Sequence, residues 1–141
     1  MRARLPILCA GLALALSGCA GGGAGSGGDF AGDEEQVAEA IEGLQAAASR
    51  RETADEVCRD SLSRALVARL NSGETRCESE IRRAVADADL FDLQVEEVTV
   101  RGTVAEARVL TSAGDQTTSA TLELVQEQGD WRVDEIRPGA G

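Results

Sequence analysis

The stretch Leu93-Gln94-Val95-Glu96-Glu97-Val98-Thr99-Val100 decides the fold. Leu93 and Val95 alternate with polar residues, the phase slips at Glu96-Glu97, and Val98 and Val100 resume the alternation. A period of two marks a strand with one buried face, and a two-residue slip within it reads as a β-bulge. The apolar positions before Leu90 recur at helical spacing instead, so the chain passes from helices to strands near that residue.

Downstream, Arg101-Gly102 forms a tight turn and a second strand is expected from Thr103 to Thr111. Ser112-Ala113-Gly114-Asp115 is a longer turn. A third strand follows over residues 116–127, with Ala120, Leu122 and Leu124 on one face. Gln128-Gly129-Asp130 turns again, and Trp131 to Arg137 makes the fourth strand.

Upstream, a first helix begins near Asp33, where Glu34 and Glu35 complement the positive end of the helix dipole. Val37, Ala40, Ile41, Leu44 and Ala48 share one face, and Arg50-Arg51 lie at its end. Thr53-Ala54-Asp55-Glu56 has the form of a capping box that restarts a helix. Leu62, Leu66 and Leu70 continue the helical stripe until Asn71-Ser72-Gly73 stops it. Thr75-Arg76-Cys77-Glu78 is a second box of this form, opening a short helix with Ile81, Ala84, Val85 and Ala88 inward. Helices followed by an antiparallel four-strand meander make an α+β domain over residues 33–137, with the helices on one face of the sheet. Residues 138–141 form a short tail.

The first residues carry an address. Met1-Arg2-Ala3-Arg4 is positive, and Leu5–Leu16 is apolar except for Pro6 and Gly11. These 12 residues fall short of the roughly 20 a helix needs to span a bilayer, so residues 1–18 read as an export signal. Leu16-Ser17-Gly18-Cys19 resembles the lipobox of bacterial lipoproteins. The resemblance implies that Cys19 receives a diacylglyceryl thioether, becomes the first residue after cleavage and carries fatty acyl chains such as palmitate. Each buried methylene contributes about 0.8 kcal/mol, so two or more chains anchor durably. Ordinary secretion with cleavage after Ala20 is the competing reading, since Gly18 and Ala20 are both small. Residues 20–28 are all Gly, Ala or Ser, and with Cys19 they open a tether over residues 19–32. A run of this composition has a root-mean-square span of roughly 15–20 Å. The expected location is the extracytoplasmic face of the cell membrane, with the lipid as the link to it.

The formal charge is −11, and loss of Arg2 and Arg4 with the signal takes it to −13. A domain this acidic is repelled by nucleic acid and by anionic headgroups. No nucleic acid partner is expected.

Cys9 lies in the signal. Cys58 and Cys77 are then the two cysteines left for the fold, and in an exported protein such a pair usually forms a disulfide. Redox catalysis is the sharper alternative, but it typically uses Cys-x-x-Cys spacing, which is missing here.

The order of elements over residues 33–137 resembles the nuclear-transport-factor-2-like (NTF2-like) group, in which a curved sheet wraps a long helix into a cone. The stretch Gly129-Asp130-Trp131-Arg132-Val133-Asp134-Glu135-Ile136 is similar to the Gly-x-Trp-basic-Val-x-x-Ile ending of many members. The Cys58 to Cys77 region, with Leu62 and Leu66 between, also resembles small exported lipoproteins of actinobacterial type. Enzymes of this group place a carboxylate base in the cone with Tyr or His partners, which is what the resemblance would imply for an active member.

This chain has neither histidine nor tyrosine, and all 14 basic residues are arginine. It therefore lacks the usual proton-transfer side chain and the phenol donor, and Ser-His-Asp, Cys-His and Ser-Lys arrangements cannot form. A carboxylate with its pKa raised in a dry pocket is the route left to an enzyme, and nothing singles out one of the 25. No catalytic residue is assigned. Zinc would need the two cysteines already assigned to each other. Asp87-Ala88-Asp89-Leu90-Phe91-Asp92 fails as a calcium loop, because Asp92 stands where glycine is required and Val98 where the last glutamate should be. No phosphate-binding glycine loop follows a strand, so neither metal nor cofactor is expected. Trp131 is read either as the wall of a ligand pocket or as a core anchor of the last strand. Arg50-Arg51 and Arg82-Arg83 read as solvated helix faces.

Three functions remain. The first is a non-catalytic binding or interaction module on a lipid tether, taking a small apolar ligand or a protein partner. The others are an enzyme of this fold using a buried carboxylate, and a structural accessory of the cell envelope.

Overall fold

A computed structural model describes residues 28–49, 53–86, 91–113 and 115–139. The export signal, Cys19, the tether up to residue 27, Arg50-Arg51 and Ala88 lie outside the described residues. Four helices precede four strands: α1 (Asp33–Ser49), α2 (Ala54–Asp60), α3 (Arg64–Asn71), α4 (Cys77–Ala86), β1 (Phe91–Arg101), β2 (Val104–Ala113), β3 (Gln116–Glu127) and β4 (Asp130–Pro138). The strands form one antiparallel sheet in the order β1-β2-β3-β4, as the meander reading expects.

The bulge falls at the expected place. Val95 pairs with Val109 and Glu97 with Arg108, so Glu96 is the extra residue, and Leu93, Val95 and Val98 all reach the core. The turn between β3 and β4 needs positive φ at both Gln128 (58°) and Gly129 (97°), the mirror-image geometry that suits a two-residue hairpin. Gly129 adopts it at no steric cost, whereas Gln128 is held there by the paired strands.

Helix α1 lies across the inner face of the sheet, against β1, β2 and β4. Val37 and Ile41 are wholly buried, Ala38 and Ala47 nearly so, and Ala40 and Leu44 pack on the rim of the same cluster. From the sheet, Val95, Ala107, Val109, Leu124 and Val133 meet them, each at most 2% exposed. On the outer face, Glu106 and Glu123 are directly paired across β2 and β3, and Arg137 of β4 contacts both, at 3.2 and 3.3 Å. That contact offsets the like-charge repulsion a cross-strand Glu–Glu pair would otherwise carry.

The helical stripe after Thr53 is not one helix. The capping box is present, with Thr53 accepting from the Glu56 N–H and Glu56 accepting from the Thr53 N–H at 3.0 Å. However, the helix stops at Asp60 and restarts at Arg64. Between them, Ser61-Leu62-Ser63 pairs with the free edge of β4. The Val133 N–H donates to the Ser61 carbonyl (2.9 Å) and the Ser63 N–H to the Val133 carbonyl (2.8 Å). Strand pairing replaces the intrahelical bonds lost at the break, and Ser63 then caps α3 by accepting from the Leu66 N–H at 2.9 Å.

Helix α4 also opens differently from expectation. The Cys77 N–H donates to Asn71 Oδ1 at 3.0 Å, so the last residue of α3 supplies the acceptor in place of a Thr75 box. Helix α4 packs on α2 and α3, with Ile81 against the core as expected, whereas Ala84 is exposed.

Candidate functional site

Helices α2 and α4 are joined by the Cys58–Cys77 disulfide, with Cα atoms 6.3 Å apart. Cys58 sits in the latter half of α2 and Cys77 is the first residue of α4. Both sulfur-bearing residues are buried, which puts the bridge in the hydrophobic cluster.

Beside this bridge the α2–α3 corner meets the β3–β4 turn, and a groove of about 510 Å³ lies between them. Its apolar wall is Cys58, Leu62, Val67 and Ala68, and its polar wall is Arg59, Asp60, Arg64, Asn71, Gln128 and Arg132. Arg59 bridges Asp55 (3.0 Å) and Asp60 (3.2 Å), and these contacts, the Asp60 hydrogen bond first, raise its pKa above the ordinary value. Arg64 reaches Glu127 Oε2 at 3.6 Å while its N–H donates to Glu127 Oε1 at 3.1 Å. Arg132 crosses from β4 and donates from Nη1 to the Arg59 carbonyl, and its Nε is buried without a partner.

Below the groove, the wholly buried Ser63 hydroxyl donates to Asp134 Oδ1, whose other oxygen lies 3.4 Å from Arg69. Asp134 can do this because it is the extra residue of a second bulge: Glu123 pairs with Glu135, but Leu124 pairs with Val133. Arg69 also donates to the Asp134 carbonyl, which ties α3 to the bulge.

A second groove, of about 380 Å³, lies on the α1 side of the same turn and is bordered by Gln36, Glu39, Ala40, Asp60, Gly129, Asp130 and Trp131. Trp131 is only 6% exposed and belongs to the core cluster, so it is a core residue that also borders a shallow groove. Its indole N–H is buried without an acceptor.

Among the described residues no group of three or more Cys, Asp or Glu side chains is placed to hold a metal ion, and no helix is long and apolar enough to cross a membrane. The grouping of Arg59, Arg64 and Arg132 was not legible in the sequence, because two of them lie on neighbouring helices and the third arrives from the last strand.

The fold is NTF2-like. A five-substitution variant of Rd1NTF2_05 superposes with a TM-score of 0.55 at 14% identity, over 77% of this chain and 100% of its own. A de novo designed NTF2-fold protein, NT-9, gives 0.49 at 15% identity over 73% and 82%. A protein from Jannaschia sp. CCS1 assigned as a SnoaL-like polyketide cyclase gives 0.44 at 15% identity over 80% and 90%. No protein-family model and no curated protein sequence matches the chain.

Proposed function

We propose that this protein is an exported lipoprotein, held on the extracytoplasmic face of the cell membrane through Cys19, whose NTF2-like domain is a non-catalytic binding module. The lipobox Leu16-Ser17-Gly18-Cys19 and the Gly/Ala-rich run behind it support the anchor. A disulfide between Cys58 and Cys77 fits an oxidising compartment.

The observation that carries the non-catalytic reading is where the carboxylates lie. An NTF2-like enzyme without His or Tyr would need an aspartate or glutamate in a dry interior, where desolvation raises its pKa. Among the described residues the one buried polar residue is Ser63, and the inner face is filled by aliphatic side chains and Trp131. Asp134 and Glu127, which reach back toward the helices, keep 18% and 22% of their side-chain surface and are each paired with an arginine. The apolar filling of the inner face also favours a second reading, a structural accessory domain without a ligand.

Two measurements test these statements. The native protein should enter the detergent phase on phase separation, with acyl mass on the peptide beginning at Cys19, and Cys19→Ser should abolish both. A water-soluble native protein without acyl mass defeats the anchor. Native mass spectrometry of the purified protein should show a co-purifying ligand. A clean unliganded mass at every charge state favours the accessory role.

A further inference from the structure

Acid is abundant in a chain of formal charge −11, and most described arginines that touch another element take one. Arg59, Arg64, Arg69, Arg108 and Arg137 all have carboxylates within 4 Å. Among the described residues, Arg76, Arg82 and Arg101 join no ion pair but are exposed; Arg132 is different. It is half-buried, it joins none of the ion pairs among the described residues, and its Nε is shut off with no acceptor. Leaving a desolvated guanidinium N–H unpaired is costly, and a site that retains one has an acceptor still to be supplied.

The surroundings of Arg132 define that acceptor. It shares its groove with Arg59 and Arg64, but these are already paired with Asp55, Asp60 and Glu127, so Arg132 is the groove cation left without a carboxylate. Opposite lie Leu62 and Val67, an apolar surface for a short hydrocarbon arm. Asp60 and the overall negative charge disfavour a dianion.

We propose that this groove binds a small organic monoanion, a carboxylate or a phosphodiester bearing a short apolar arm, with Arg132 as the anion-binding residue. Nη1 stays on the Arg59 carbonyl. The Nε–Nη2 edge swings into the groove and takes the two oxygens side by side, a geometry guanidinium offers and ammonium does not. Arg59 and Arg64 flank the charge, and the arm lies on Leu62 and Val67. This deepens the binding-module reading and rests on it.

The test is a nuclear magnetic resonance titration of the full chain in neutral detergent with butyrate, diethyl phosphate and, as the cationic control, butylammonium. Either anion should shift the Arg132 Nε–H and Val67 methyl signals saturably, and butylammonium should not. Arg132→Gln should raise the midpoint read at Val67 about tenfold, the loss expected for one charge-assisted contact. Arg64→Gln, at a side chain 72% exposed, serves if the first variant fails to fold, and should also weaken binding. No saturation with either anion, equal shifts with butylammonium, or a native midpoint in a folded variant overturns the proposal. A co-purifying ligand without an anionic group would also overturn it while leaving the binding-module reading intact.

Discussion

The hydroxyl of Ser63 donates to the carboxylate of Asp134 across 71 positions of sequence, and the same oxygen accepts from the Leu66 N–H. One buried atom therefore caps α3 and fastens it to the bulge in β4. Ser63→Ala should cost about 1–3 kcal/mol, combining a lost cap with a carboxylate deprived of its donor. Asp134→Asn, which still accepts from Ser63, should cost less. Paired urea titrations read the difference, and equal losses would mean the bond carries no weight.

The Cys58–Cys77 bridge closes a segment of sequence separation 19. Reduction, or the double change Cys58→Ser with Cys77→Ser, should lower stability by about 3 kcal/mol on the chain-entropy account. Denaturation with and without reductant measures it. Alkylation of the non-reduced protein should label neither residue, and quantitative labelling would contradict the bridge.

The carboxyl of Glu56 is held below its ordinary pKa of 4.5, chiefly by the Thr53 side-chain hydrogen bond and then by the Thr53 N–H. A depressed folded-state pKa gives stability that is present above the unfolded value and is lost as pH falls through the folded one. Thr53→Ala should thus destabilise at pH 7 by about 0.5–2 kcal/mol, the usual range for a lost cap. The gap from the native protein should narrow below about pH 4.5. Thermal melts of both proteins at pH 7 and pH 3 decide it, and an unchanged gap at pH 3 would detach the box from Glu56 ionisation.

Ile41 is wholly buried between α1 and the sheet, whereas Val104 on the outer face is 42% exposed. Ile41→Ala should cost about 2–5 kcal/mol by removing contacts and leaving a cavity. Val104→Thr should stay within about 0.5 kcal/mol. Comparable losses would show that the outer face is covered by something in solution.

The elements that were legible are those whose cause lies within a few residues. The phase slip at Glu96-Glu97 is visible because alternation exposes a single inserted residue, and Thr53 with Glu56 is visible because both partners of the box lie in one turn. The break at Ser61-Leu62-Ser63 was hidden by Leu62, Leu66 and Leu70, whose spacing of four suits a continuous helix. Its cause is Val133 on the last strand, and no local pattern announces a partner that distant. The second bulge, at Asp134, does carry a local mark, since Asp134-Glu135 separates Val133 from Ile136 as Glu96-Glu97 separates Val95 from Val98. It is fainter because Ile136 lies near the strand end and is 56% exposed. The Arg132 groove is likewise a product of the break, since Leu62 and Arg64 face the β3–β4 turn because the helix stops there.

The pairing of Ser61 and Ser63 with Val133 has a consequence for association. A sheet grows by recruiting a strand to an uncovered border, and the border at β4 is already occupied at its middle. Among the described residues the β1 border has no such cover, and the kink at Glu96 interrupts it. Strand addition at the middle of β4 would have to displace Ser61-Leu62-Ser63, and with it the Ser63 cap of α3.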